Sequence, residues 1–146
     1  MTRAFVVARF VVAPVGPLEA ELRGRSGRVL SLGSGLCMLE RYLAVQNPNL
    51  EFVGIDLDED KVALIAETRH RSPRVTLRLG DATAIDEPAM YDTVLICDAL
   101  HHFPAEMHAR VAQSVAAGLV PDARVIVRDL DVAPRWNYHW NRGHAR

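Results

Sequence analysis

Apolar residues along the chain fall into short continuous runs, and between those runs they recur at helical spacing. Strands are read at 29–32, 52–55 and 125–127, at Val75–Leu79, which alternates apolar and polar residues, and at Tyr91–Cys97, whose unbroken Val94-Leu95-Ile96 is expected of a central parallel strand. Helices are predicted over Met38–Gln46, Glu59–His70 and Pro104–Gly118, with a shorter one entered at Pro17, whose fixed φ suits a first turn. Asp58 is placed to cap the second of these, and Leu57, Val62, Leu64, Ile65 and Ala66 are expected to form its buried side. Met107, Val111, Val115 and Leu119 mark the buried stripe of the third, and Val120-Pro121-Asp122 reads as the turn into the fifth strand. Strand and helix alternate, so the class is α/β, with helices on both faces of a mostly parallel sheet.

Length and charge narrow the partner. The 146 residues suit one domain with a real core, and 17 basic against 18 acidic residues leave no overall positive field for nucleic acid. A small-molecule substrate is expected instead. Cys37 and Cys97 lie on different predicted elements and form no Cys-x-x-Cys pair, which suits reduced thiols in the cytoplasm. The apolar stretch Ala4–Val15 is interrupted by Arg9 and is shorter than the ~20 residues that cross a bilayer, so it reads as an N-terminal element packed on the domain. No integral membrane segment is expected.

The first strand runs straight into Gly33-Ser34-Gly35, where the backbone can turn tightly with no Cβ between chain and ligand. The second ends at Asp56, 21 positions after Gly35, with a carboxylate able to accept both hydroxyl hydrogens of a ribose. Asp81 and Asp98 close the third and fourth strands, and open α/β sheets bind ligands at these carboxyl ends. Each acid also has a structural alternative: Asp56 opening a turn, Asp81 in an Asx turn, Asp98 capping the segment after its strand.

Taken together, the segments Val29-Leu-Ser-Leu-Gly-Ser-Gly35, Phe52-Val-Gly-Ile-Asp56, Arg78-Leu-Gly-Asp-Ala82, Tyr91–Phe103 and Leu119–Val127 resemble the class I methyltransferases that use S-adenosylmethionine. The resemblance implies a Rossmann-like three-layer sandwich with a sheet of about five strands in the order 3-2-1-4-5. It implies that Gly33 and Gly35 approach the methionine part of the cofactor, Asp56 holds the ribose, Asp81 and Ala82 meet the adenine, and Asp98 faces the methionine portion and the substrate. Ser31 and Leu57 complete the implied cofactor-binding set. Two positions depart from the pattern: Ser31 stands where the family has an acid that helps hold the cofactor's amino group, and Cys37 where it has a third glycine. Serine accepts a hydrogen bond but brings no charge.

Methyl transfer from a sulfonium is an in-line displacement, so alignment does most of the work and a base is needed only for a poor nucleophile. His101 and His102, directly after Asp98-Ala99-Leu100, are the candidate bases. The motif Asn-Pro-Pro-Tyr or Asp-Pro-Pro-Tyr, which in that family serves amino-group acceptors, does not follow the fourth strand, so the resemblance implies an oxygen or carbon acceptor on a small or lipid-like molecule. No His-Glu-x-x-His spacing occurs among the six histidines, so no metal site is expected. Residues 1–146 read as a single domain, with an N-terminal segment 1–27, a cofactor-binding core 28–130, and 131–146 as the start of a shortened C-terminal region. Trp136 and Trp140 form an aromatic stripe there. The family's sixth and seventh strands are missing from this layout, so a homodimer or partner chain is expected to complete the sheet edge. Two rival readings remain: a noncatalytic relative acting through a partner, and a nicotinamide-dependent dehydrogenase, against which Met38 stands at that fingerprint's third glycine.

Overall fold

In the computed structural model, which describes residues 15–67 and 72–129, five strands form one sheet. They are β1 (Gly27–Leu32), β2 (Leu50–Asp56), β3 (Val75–Leu79), β4 (Tyr91–Cys97) and β5 (Leu119–Arg128). Their order in space is β3-β2-β1-β4-β5, the order the methyltransferase resemblance implies, and every neighbouring pair is parallel, as the alternation of strands and helices predicts. The N-terminal apolar stretch up to Pro14, the segment 68–71 and residues from 130 onward, including Trp136 and Trp140, lie outside the described residues.

Side chains alternate across the sheet and so build two cores. Leu30, Leu32, Val53, Ile55, Val94 and Ile96 meet Val111 and Val115 of α4 (His108–Gly118) on one face. Val29, Phe52, Leu95 and Cys97 meet Leu18 and Leu22 of α1 (Gly16–Leu22) and Leu43 and Ala44 of α2 (Met38–Gln46) on the other. Helices thus cover both faces, in three layers. Arg74 fastens the end of α2 to the sheet: its guanidinium donates to the carbonyls of Ala44 (2.6 Å), Asn47 (3.0 Å) and Leu50 (3.2 Å).

Three details differ from the sequence reading. The helix α3 (Glu59–Glu67) buries none of its residues, and Leu57 and Leu64 of its expected buried side are 64% and 51% exposed. This helix packs chiefly on β2 and β3, at the sheet margin, where one neighbouring layer cannot enclose it. Pro104–Gly118 is not one helix, because extended Pro104 starts a 3₁₀ turn, Ala105–Met107, and α4 follows from His108. The segment Val120-Pro121-Asp122 is no turn between elements but a bulge inside β5. Tyr91 pairs with Leu119 and Thr93 with Arg124, so five steps along β5 pass two along β4. Asp122 takes a φ of 63° there, and a bulge on an edge strand can hold Pro121, which has no N–H to give to a ladder.

Candidate active site at the carboxyl rim

Register decides what meets at the carboxyl end of the sheet. Leu32 lies opposite Ile55 and Ile96, Asp56 opposite Leu79, and Cys97 opposite Arg128, so the residues that follow these strands emerge along one rim. Gly33, Gly35, Asp56, Leu57, Asp81, Asp98 and His101 all belong to it. Gly33 and Gly35 hold φ of 65° and 55°, the left-handed region that glycine enters without a Cβ clash. A Cβ on Gly33 would stand 3.0 Å from that of Ala99, whereas one on Gly35 would meet nothing within 4 Å, so the surface above Gly35 is open.

Asp56 ties the glycine turn to the next strand. Its Oδ2 accepts the Gly35 N–H at 2.7 Å and its Oδ1 the Asp58 N–H at 3.0 Å, while Lys61 Nζ lies 3.8 Å from Oδ1. A carboxylate has about four acceptor sites, so both oxygens keep capacity for a diol. Lys61 also bonds Asp58, whose carboxyl is held below its ordinary range chiefly by that side-chain bond. Asp81 accepts the Thr83 N–H at 2.7 Å in an Asx turn, and Ala82 is buried in the core beside it. Asp98 sits at a φ of 54°, gives its N–H to the Arg128 carbonyl and accepts from Arg128 Nη2 at 2.7 Å. The structural alternative is therefore met at Asp56 and Asp81, without consuming either carboxylate.

Ser31 is buried and donates its hydroxyl to Oε1 of Glu40, itself a buried carboxylate reaching in from α2. The second departure, Cys37, turns its side chain inward. It holds a φ of 50° just before α2, and its Sγ and the Ser34 hydroxyl fill the space that a side chain on Gly54 would need. Burial pushes the Cys37 thiol up to about 12, with the Glu40 carboxylate adding to the effect, so this sulfur is packing and not a nucleophile.

Glu40, Gly54, Lys61, Arg128 and Asp129 were not singled out in the sequence. Asp129 had a signal: with one residue between, it comes after the end of the apolar run 125–127, much as Asp56 and Asp98 follow theirs. Gly54 and Glu40 had none, since their roles depend on what lies across the sheet or under the helix. Among the described residues no three His, Cys, Asp or Glu side chains converge as metal ligands. A polar cavity of about 570 Å³, lined by Arg23, Asp92 and Asp122 among others, lies at the opposite end of the strands.

The parallel sheet, the glycine turn and the acid ending β2 define a Rossmann-like domain of the kind that binds nucleoside cofactors. Residues 30–125 match the family model for a methyltransferase domain, and the chain belongs to that family. Among solved structures it is similar to a protein from Pyrococcus horikoshii, with a TM-score of 0.73, 25% identity, and coverage of 86% of this chain and 58% of that one. A methyltransferase dependent on S-adenosylmethionine from Aquifex aeolicus superposes with a TM-score of 0.70 at 16% identity, covering 92% of this chain and 79% of that one. A glycopeptide N-methyltransferase in complex with S-adenosylmethionine gives 0.65 at 20% identity, with 79% and 52% covered. The chain thus spans little more than half the length of the first and third of these. No curated protein sequence matches it.

Proposed function

We propose that this domain binds S-adenosylmethionine along the carboxyl rim and transfers its methyl group to an oxygen or carbon of a small or lipid-like acceptor. The observation that carries this is the register bringing Gly33, Gly35, Asp56, Asp81 and Asp98 to one edge, with open surface above Gly35. In this reading the glycine turn admits the methionine part, and Asp56 accepts the ribose hydroxyls on the capacity left by two N–H bonds. Exposed Leu57 walls the adenine, Asp81 and Ala82 meet its edge, and Asp98 faces the methionine portion with Arg128 balancing its charge. Glu40 supplies, behind the Ser31 hydroxyl, the carboxylate that residue 31 itself lacks.

When bound, the cofactor supplies a methyl carbon on positively charged sulfur. The chain aligns the acceptor, excludes water and handles the acceptor's proton, for which His101 and His102 stand beside Asp98. Buried, reduced Cys37 and Cys97 support a cytoplasmic setting. Among the described residues no helix is long and apolar enough to cross a membrane. Val125 and Val127 are exposed on the edge strand β5, which supports a second copy or a partner chain lying against it and a solution mass above 16.2 kDa.

Calorimetry with S-adenosylmethionine, its demethylated product and NAD tests the reading. Binding of the first two and not of NAD is expected. NAD alone would make this a dinucleotide site, and no nucleoside binding would make it a noncatalytic relative. Asp56→Asn keeps an oxygen for the Asp58 N–H but removes the charge, and should weaken product binding at least tenfold, about 1.4 kcal/mol. Unchanged affinity in a folded variant removes Asp56 from the site.

A further inference from the structure

Beyond the last hydrogen bonds of the β4–β5 ladder, the two strands stay in contact. The Asp98 N–H donates to the Arg128 carbonyl at 2.8 Å, which sets Asp129 beside the turn Leu100–His102. There the Asp129 carboxylate holds His101 at two points. Its Oδ2 accepts the His101 backbone N–H at 3.2 Å and its Oδ1 lies 2.7 Å from Nδ1 of the ring. Both side chains are 17% exposed, withdrawn from water without being sealed from it. The His102 ring lies against that of His101, with centroids 4.0 Å apart.

A carboxylate only accepts, so a neutral His101 carries its proton on Nδ1 and its lone pair on Nε2. Two-point attachment also fixes the direction of the ring, which one bond to a mobile loop would not. An oriented imidazole with its basic nitrogen facing away from its own carboxylate is the arrangement a general base needs. An amine acceptor already has a lone pair to offer a methyl group, but a hydroxyl must shed a proton as it attacks. A base built this way therefore speaks to the acceptor.

We infer that His101 and Asp129 form a proton-accepting dyad and that the acceptor is a hydroxyl compound, an inference that rests on the methyl-transfer reading above. The acceptor O–H passes its proton to Nε2, and the oxygen pair released by that transfer forms the new bond to the donated methyl carbon. The bond from that carbon to sulfur breaks with its pair going to sulfur, and the imidazolium returns its proton to water. His101 is the catalytic residue; Asp129 is a positioning residue that acts through it.

Nitrogen-15 NMR of the full chain without cofactor tests the dyad directly. In the neutral form of His101 the proton is expected on Nδ1, a preference lost in Asp129→Asn; a neutral ring protonated on Nε2 in the unaltered protein overturns the proposal. Transfer from S-adenosylmethionine is then assayed with simple phenols, one set un-ionised at the assay pH and one already ionised by electron-withdrawing groups, and with primary amines. Asp129→Asn should lower kcat roughly 100-fold for un-ionised phenols, leave KM in place, and have little effect on ionised ones; Asp129→Glu should recover part of the loss. Equal losses on both phenol sets would mark Asp129 as merely structural. Methylation of amines only, or of nothing in the panel, overturns the hydroxyl assignment. Calorimetry on the demethylated product separates the two levels of failure. Binding with an inert dyad sinks this inference alone, whereas no binding sinks the cofactor reading and the dyad's role with it.

Discussion

Gly54 shows how one small residue holds the cofactor turn in shape. On β2, next to Ser31 of β1, it leaves the volume into which Ser34 Oγ and Cys37 Sγ fold, and an added Cβ would lie 2.5 Å and 2.7 Å from them. Neither atom can retreat easily. Ser34 also donates to the Ser31 carbonyl at 2.8 Å, and Cys37 is fully buried. Gly54→Ala should therefore cost about 1–3 kcal/mol in chemical denaturation, as overpacking does, and displace the Gly33–Gly35 turn enough to weaken cofactor binding. An alanine variant with unaltered stability would show that this turn is not wedged against β2. The same geometry disposes of the apparent conflict at Cys37: its side chain is turned toward β2 and away from the rim.

Elements were legible to different degrees. Met38–Gln46, Val75–Leu79 and Tyr91–Cys97 have the bounds their patterns predict, because apolar spacing and the breakers Asn47-Pro48 and Gly80 agree there. The expected burial of α3 failed because periodicity reports which side of a helix is apolar, and not whether a second layer exists to cover it. The β5 bulge was unreadable for a related cause: Pro121-Asp122 has the chemistry of a turn, and only pairing with β4 shows the strand continuing on both sides. Arg74 is a further long-range feature, since it closes the carbonyl end of α2 from 27 and 30 residues away. Arg74→Ala leaves those carbonyls without their charged donor and should lower stability by about 2 kcal/mol, read as a shifted urea midpoint with an unchanged slope.

At the scale of the whole molecule, two buried acids tie stability to alkaline pH. Cys37 is raised from 9.0 to about 12 and Tyr91 from 10.0 to about 12, in both cases chiefly by burial, with the Glu40 and Glu87 carboxylates adding to it. The folded chain therefore keeps protons that the unfolded chain gives up. This stabilisation is complete below the unfolded values and is lost as pH climbs from about 9 toward about 12. Urea midpoints measured up that range should fall, and the fall should be shallower in Cys37→Ala and in Tyr91→Phe. A flat profile in the unaltered chain would mean that neither group is as enclosed as the structure has it.

The local pattern of the chain determined the alternation of strands and helices, the glycine turn and the acids that end β2 and β4, because each depends on neighbours a few residues away. Tertiary structure alone decided that those ends share a rim, that Glu40 backs Ser31, that Arg128 pairs with Asp98, and that Asp129 grips His101. Pairs 9, 30 and 28 positions apart are joined by strand register and by packing of α2 on the sheet. Local pattern marks each partner as polar. Only the folded chain puts one within hydrogen-bond reach of the other.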